Sequence, residues 1–375
     1  VHTRPGAHRH QARSKLISAA LLPLLVAACI SDTPAGGGSL PGVDLEGGFP
    51  LSGQFVGAGA STQQSAMEAW IAYFQDPQPR VTVIYDPNGS GAGRTQFLNG
   101  GALWAGSDVV LTGAEVENSV TRCGPEGAID LPVYVSPIAI AFNLPGITEL
   151  NLRPSVIARI FTRDITNWND SAIAADNPTV TLPNLTITPI HRTDNSGTTT
   201  NFTEYLAATA PDVWPWDPAG TWPFAGGESA QGTSGVVNVV NSTRGAVTYV
   251  DYSQVGTLGA AAILVGDSWV PVSAEAAVLA LDASPQLGGR HELDLAIDLD
   301  RTTTAAGAYP LLLISYAVIC LHYDSEMDAE FVRSFMTWIT SEPGQDLASE
   351  VAGSAPLSSL LRSQISDSLA AITFS

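Results

Sequence analysis

The sequence predicts an α/β fold with largely parallel sheets, in a chain long enough for about two domains. Two observations carry this. Short apolar, β-branched runs alternate with stretches in which apolar residues recur at i, i+3, i+4 and i+7. Of the 375 residues 45% are hydrophobic and only 14% charged, which suits a packed globular chain rather than a disordered or fibrous one.

The first element is a leader. Arg4, Arg9, Arg13 and Lys15 form a basic region with no acid beside them, and the apolar run Leu16 to Ala28 follows. That run is shorter than a membrane span needs and contains the small residues expected before a processing site, so residues 1–28 read as a secretion signal. A buried strand or helix is the alternative, but it leaves the charge asymmetry unexplained. Val26-Ala27-Ala28-Cys29 is similar to the lipobox of bacterial lipoproteins. That similarity implies lipidation of Cys29 and anchorage to a membrane. Residues 29–48, with Ala35-Gly36-Gly37-Gly38-Ser39, then read as the lipidated cysteine and a flexible tether.

Setting the leader aside sharpens the charge. It removes four positive charges and no negative one, taking the formal net charge from −20 to −24. A protein that tracks nucleic acid needs a basic footprint, and this chain offers none. The cysteines divide in the same way. With Cys29 assigned to lipid, Cys123 and Cys320 remain, either as a disulfide in an oxidising compartment or as two separate buried thiols. In the mature part the histidines show no HExxH or Cys/His ligand spacing, and neither a metal nor another cofactor is expected.

In the body, Val81 to Tyr85, Tyr134 to Phe142, Ile187 to Ile190 and Ala246 to Val250 read as strands. Met67, Trp70, Ile71 and Phe74 mark an amphipathic helix whose large residues face the core, and Phe202, Tyr205 and Leu206 mark another. Pro211 to Gly235, with Trp214, Trp216 and Trp222, reads as a loop over a small hydrophobic cluster. Residues 309–321 read as a strand through the core.

Four loops share one chemistry. They are Gly57 to Thr62, Asn88 to Gly93, Gly106 to Asp108 and Arg192 to Thr198, and three of them fall at strand-to-helix junctions. Ser61 and Gln64 carry the S-x-x-Q spacing of a capping box. A helix start leaves amide hydrogens unpaired, glycine lets a ligand approach the backbone, and Ser, Thr and Arg add donors. Together these groups suit a small oxyanion. A nucleotide fold fails on pattern, because Thr62 stands where a third glycine belongs and no P-loop is present. A serine hydrolase is disfavoured, since neither Ser90 nor Ser196 lies in G-x-S-x-G. His191, beside the fourth loop, reads as a partly exposed strand end.

At these loops the chain resembles the PstS family, the phosphate-binding proteins of bacterial ABC phosphate importers, in their lipoprotein form. The likeness also covers Ala141 to Gly146, Ile160 to Asp170 and Gly245 to Val250. It implies a periplasmic-binding-protein fold of the class II type, with mixed, mostly parallel sheets and a ligand cleft between two lobes. Residues 49–133 and 312–375 would form the first lobe and residues 134–311 the second. Cys123 and Cys320 would then share a lobe, as a disulfide requires.

The resemblance further implies an extracytoplasmic, monomeric and non-catalytic protein that binds inorganic phosphate and delivers it to a membrane ABC permease. Ser61, Thr62, Ser90 and Asp108 are expected as phosphate ligands from one side. Arg192, Ser196, Gly197 and Thr198 are expected from the other, with Asp194 orienting Arg192. Ser61-Thr62 replaces a common Thr-Phe pair, which keeps the hydroxyl and removes a ring from the pocket wall. Asp108 carries the specificity argument. Phosphate keeps at least one proton at neutral pH and sulfate keeps none, so this carboxylate can accept a bond from phosphate and only repels sulfate. The alternatives are a receptor of the same fold for sulfate or molybdate, a secreted phosphate-ester hydrolase, and a surface protein that uses the fold for interaction.

Overall fold

The computed structural model describes residues 49–375; the signal, Cys29 and the tether lie outside the described residues. The chain begins with β1 (Gly53–Gly59), α1 (Gln64–Gln75), β2 (Val81–Asp86), α2 (Ser90–Leu98), β3 (Trp104–Ser107), α3 (Ala114–Cys123) and β4 (Ala128–Phe142). It continues through β5 (Glu149–Leu152), α4 (Pro154–Phe161), α5 (Ser171–Asp176), β6 (Thr188–Arg192), α6 (Gly197–Thr209), β7 (Glu228–Ala230) and α7 (Gly232–Ser242). Next come β8 (Ala246–Asp251), β9 (Gly259–Val265), β10 (Ser268–Val270) and α8 (Ala274–Asp282). The last part holds β11 (Leu312–Cys320), β12 (His322–Tyr323), α9 (Glu326–Thr340), α10 (Glu342–Ala352), α11 (Ser359–Ala370) and β13 (Thr373–Phe374).

The main sheet runs β2-β1-β3-β11-β4-β8-β6-β7, with β9 also on β4 and carrying β5 and β10. Pairing is parallel at the two flanks, where β1 meets β2 and β3 and where β6 meets β7 and β8. It is antiparallel in the middle, where β11 and β8 flank β4. The α/β class is thus met by a mixed sheet.

Strand β4 organises the molecule. All fifteen residues are buried. Its first part pairs with β11 as far as Leu312 opposite Pro137, and its second part pairs with β8 from Ile138 opposite Asp251. Proline lacks the N–H that a ladder needs, and Pro137 stands where the strand changes partner. Pro132 is accommodated by a register shift at Ser315/Tyr316. The strand starts six residues earlier than the apolar run at Tyr134 suggests, because Asp130 and Pro132 interrupt the pattern. Asp130 is tolerated inside because Arg290 bonds it, together with Asp294 at 2.7 Å and the Leu111 carbonyl at 2.6 Å.

The helices α1, α9 and α10 pack against one another, and α9 meets β1 and β3. Phe55, Phe74, Trp104, Phe331 and Phe335 form one aromatic cluster there. Trp70 donates to the Gly344 carbonyl at 2.7 Å and Trp338 to the Trp70 carbonyl at 3.0 Å, so the two indoles clasp α1 to the C-terminal helices. Cys123, ending α3, is bonded to Cys320, ending β11, 197 residues away. The pairing alternative is therefore realised. A second aromatic cluster, Trp214, Trp216, Trp222 and Phe224, lies in the loop as anticipated, but that loop ends before the expected Gly235, because β7 and the first residues of α7 fall inside the span. Among the described residues, no helix is long and apolar enough to cross a membrane.

Candidate functional site

The C-terminal ends of β1, β2, β3 and β6 deliver the four loops to one buried point. Each end is followed by a turn or a helix start, which is where backbone amides lack partners. Ser61 and Thr62 occupy a short 3-10 turn that leads into α1. Ser90 opens α2, and the preceding Gly89 has φ 101°, a left-handed conformation open to glycine at little cost. Ser107 ends β3 and places Asp108. Arg192 ends β6, and Ser196 caps α6 by accepting the Thr199 amide at 3.2 Å. The Gly197 and Thr198 amides, in the first turn of α6, have no intrahelical partner.

The expected ligand side chains are all buried, namely Ser61, Thr62, Ser90, Asp108, Arg192, Ser196 and Thr198, while Asp194 is half-buried. They are also interlinked. Asp108 accepts hydroxyl bonds from Thr62 at 2.7 Å, Ser315 at 2.6 Å and Thr198 at 3.3 Å, while its amide donates to Ser90 Oγ at 3.1 Å. Gly197 comes so close that a Cβ there would lie 2.5 Å from Ser90 Oγ and 2.7 Å from Asp108 Cβ. Backbone closes the same seam, with the Gly91 amide on the Asn195 carbonyl at 3.1 Å.

Arg192 forms the opposite wall. Its Nε donates to Asp194 Oδ1 at 2.8 Å and its Nη2 to Asp194 Oδ2, a fork-on-carboxylate pair that fixes the plane of the guanidinium. The Gly232 amide holds Asp194 Oδ1 in turn at 3.0 Å. The two carboxylates are shifted in opposite directions. Burial pushes the Asp108 carboxyl up, only partly offset by the hydroxyls of Ser315, Thr62 and Thr198 and by the Arg192 charge. Burial also acts on Asp194, but the bonds and charge of Arg192 outweigh it and hold that carboxyl below its ordinary value.

Two expectations from sequence are corrected in detail. The Ser61–Gln64 capping box does not form: the turn has no side-chain cap, Gln64 donates to Glu68, and Ser61 Oγ bonds Thr233 and Arg192. The hydroxyl was claimed by tertiary partners instead of its own helix. The set of polar residues is also larger than the four loops. Ser315 on β11 contacts Asp108, Gln63 donates to Ser315 at 2.7 Å, and Asn201 donates to the Asp108 carbonyl at 2.7 Å. Thr233, at the start of α7, contacts Ser61 and Arg192. Gln231-Gly232-Thr233-Ser234-Gly235 repeats the Gly/Ser/Thr composition of the other loops at a strand-to-helix junction, and that was the signal for it. Ser315 had none, being one hydroxyl inside an apolar run.

His191 lies next to Arg192 but turns away. Its ring stacks on Trp222 with centroids 4.8 Å apart, and its Nδ1 meets the Arg192 carbonyl at 3.0 Å. No cluster of three or more His, Cys, Asp or Glu able to hold a metal occurs among the described residues. The pocket thus consists of hydroxyls, amides, one clamped guanidinium and one buried carboxylate. That set can surround a small tetrahedral anion.

Residues 46–343 match the PBP superfamily domain. Phosphate-binding protein PstS 2 of Mycobacterium tuberculosis is 33% identical over 368 residues, covering 95% of this chain and 99% of that protein. PstS3 of Mycobacterium bovis is 32% identical over 323 residues, covering 84% and 86%. Among solved structures, a high-affinity periplasmic phosphate-binding protein bound with phosphate superposes with a TM-score of 0.66 at 19% identity, covering 84% of this chain and 93% of that one. A phosphate-binding protein from Stenotrophomonas maltophilia gives 0.65 at 20% identity, covering 84% and 94%. At those identities the two structures speak for the fold.

Proposed function

Since this chain belongs to the PstS-type phosphate-binding proteins of the periplasmic-binding-protein superfamily, we propose that it is a high-affinity receptor for inorganic phosphate that serves a membrane ABC permease. The family is one of extracytoplasmic solute-binding transport proteins, not enzymes. Phosphate sits between two lobes, residues 49–133 with 312–375 and residues 134–311. Ser90 and Ser196 donate hydroxyls, and Thr62, Ser90, Gly197 and Thr198 donate amides. Arg192, aimed by Asp194, supplies the positive charge. The protein acts as a monomer held at the cell membrane through lipid on Cys29.

The single observation that carries this reading is Asp108. A buried carboxylate in an anion pocket is unfavourable unless the anion brings a proton for it to accept. Asp108 already takes three hydroxyls. The protonated edge of phosphate adds a fourth donor, whereas sulfate meets only like charge. The acidity of the chain does not oppose this, because long-range repulsion fades over about 8–10 Å in physiological salt while the pocket acts at hydrogen-bond distance. Titration calorimetry of the purified protein with phosphate, sulfate and molybdate tests the proposal. Saturable binding of phosphate in preference to both others is expected. Preference for sulfate or molybdate overturns the ligand, and turnover of a phosphomonoester overturns the non-catalytic reading.

A further inference from the structure

Thr233 is the second residue of α7, and its hydrogen bonds do not close within the protein. Ser61 Oγ accepts two N–H donors, the Thr233 amide at 3.2 Å and Arg192 Nη2 at 3.1 Å. A hydroxyl oxygen has two acceptor positions, so both are filled. The 2.9 Å contact between the Ser61 and Thr233 hydroxyls can then run in one direction only, with Ser61 donating. Thr233 Oγ1 also accepts from Arg192 Nη1 at 3.4 Å, which fills its own two positions.

The remaining Thr233 proton needs an acceptor, and among the described residues none takes it. Thr233 is only 3% exposed, so bulk water does not replace one. The residue sits against the guanidinium and the hydroxyl that line the pocket. The two nearby helix amides point elsewhere, Gly232 to Asp194 and Thr233 to Ser61. What α7 offers the pocket is therefore the hydroxyl itself.

The geometry points to Thr233 as a further anion ligand, donating its hydroxyl proton to an oxyanion oxygen, with Ser61 acting behind it rather than on the anion. This rests on the oxyanion reading of the pocket given above. Ser61 becomes a positioning residue: it polarises the Thr233 hydroxyl by donating to it, which strengthens that donor in turn. The pair does together what a single hydroxyl at position 61 was expected to do.

The test is calorimetry of the full chain with inorganic phosphate, sulfate and molybdate for the wild type, Thr233→Val, Thr233→Ser and Ser61→Ala. Melting curves with and without phosphate accompany it. Valine keeps the shape and removes the O–H, so Thr233→Val is expected to weaken phosphate binding about ten- to one-hundredfold, the range for a bond to a charged partner. Thr233→Ser should restore it to within about threefold, and Ser61→Ala should cost less than Thr233→Val. Thr233→Val should lose much of the phosphate-induced rise in Tm while its ligand-free Tm changes little. Wild-type affinity in Thr233→Val overturns the inference, as does a Thr233→Ser variant no tighter than the valine one. A wild type that binds none of the three anions overturns the oxyanion reading and this inference with it.

Discussion

The two walls of the pocket solve opposite problems. Around Arg192 a cation is locked by the carboxylate of Asp194, and the pair is nearly self-contained. Around Asp108 a carboxylate has no ion partner in direct contact among the described residues and is held by the hydroxyls of Thr62, Thr198 and Ser315. The first wall supplies attraction for any anion of the right size. The second selects among anions, because neutral donors stabilise Asp108 without cancelling its charge. Affinity and selectivity are thereby assigned to different sides, and substitution can separate them.

Removing the cation is the largest break. Arg192→Met strips the pocket's charged donor and leaves the partly buried Asp194 without its partner, so phosphate affinity should fall about a thousandfold by calorimetry. Removing the carboxylate is next. Asp108→Asn should lower the phosphate-to-sulfate affinity ratio about a hundredfold, most of it through stronger sulfate binding; an unchanged ratio sinks the division of labour. Asp194→Asn keeps one acceptor for the guanidinium and loses the fork, so phosphate should weaken about tenfold with little change in that ratio. A changed ratio there means that the two walls are not independent.

The smallest effect concerns a third carboxylate, outside the pocket. Asp251 ends β8 opposite Ile138, where β4 changes partner, and it accepts from the Ser253 amide at 2.9 Å and the Tyr134 hydroxyl at 3.3 Å. Burial pushes its carboxyl up to about 7, with the Asp108 charge adding to the shift. The folded protein thus holds a proton there that the unfolded chain has already lost between about pH 4 and 7. Its contribution to stability falls as pH rises through that window. Asp251→Asn removes the dependence, so its Tm should exceed that of the wild type by about 2–4 °C at pH 8 and match it at pH 4. Equal melting at both pH values removes Asp251 as a titrating group.

Much of the pocket was legible because its chemistry is local. Glycines beside Ser or Thr after a strand mark open amides, and Arg192 with Asp194 two residues on marks a held guanidinium. What escaped was set by distance. Ser61 has a helix-capping spacing, yet its partner Thr233 lies 172 residues away and wins the hydroxyl. Thr233 itself was obscured by the Trp- and Pro-rich stretch before it, whose aromatic packing dominates the local pattern. The start of β4 was hidden because Asp130 reads as a surface residue until Arg290, 160 residues on, neutralises it. The pairing of Cys123 with Cys320 stayed open because composition cannot say which chain ends meet.

The threading of β4 sets the order of events during synthesis. Its apolar residues are complete once Phe142 is made, but the strand that covers their first part, β11, begins only at Leu312. The disulfide that ties the same region spans 197 residues and also waits for Cys320. Such long-range closure is slow to form on entropic grounds. The first part of β4 therefore stays uncovered, and its tie to β11 unmade, until the chain has been built through Cys320.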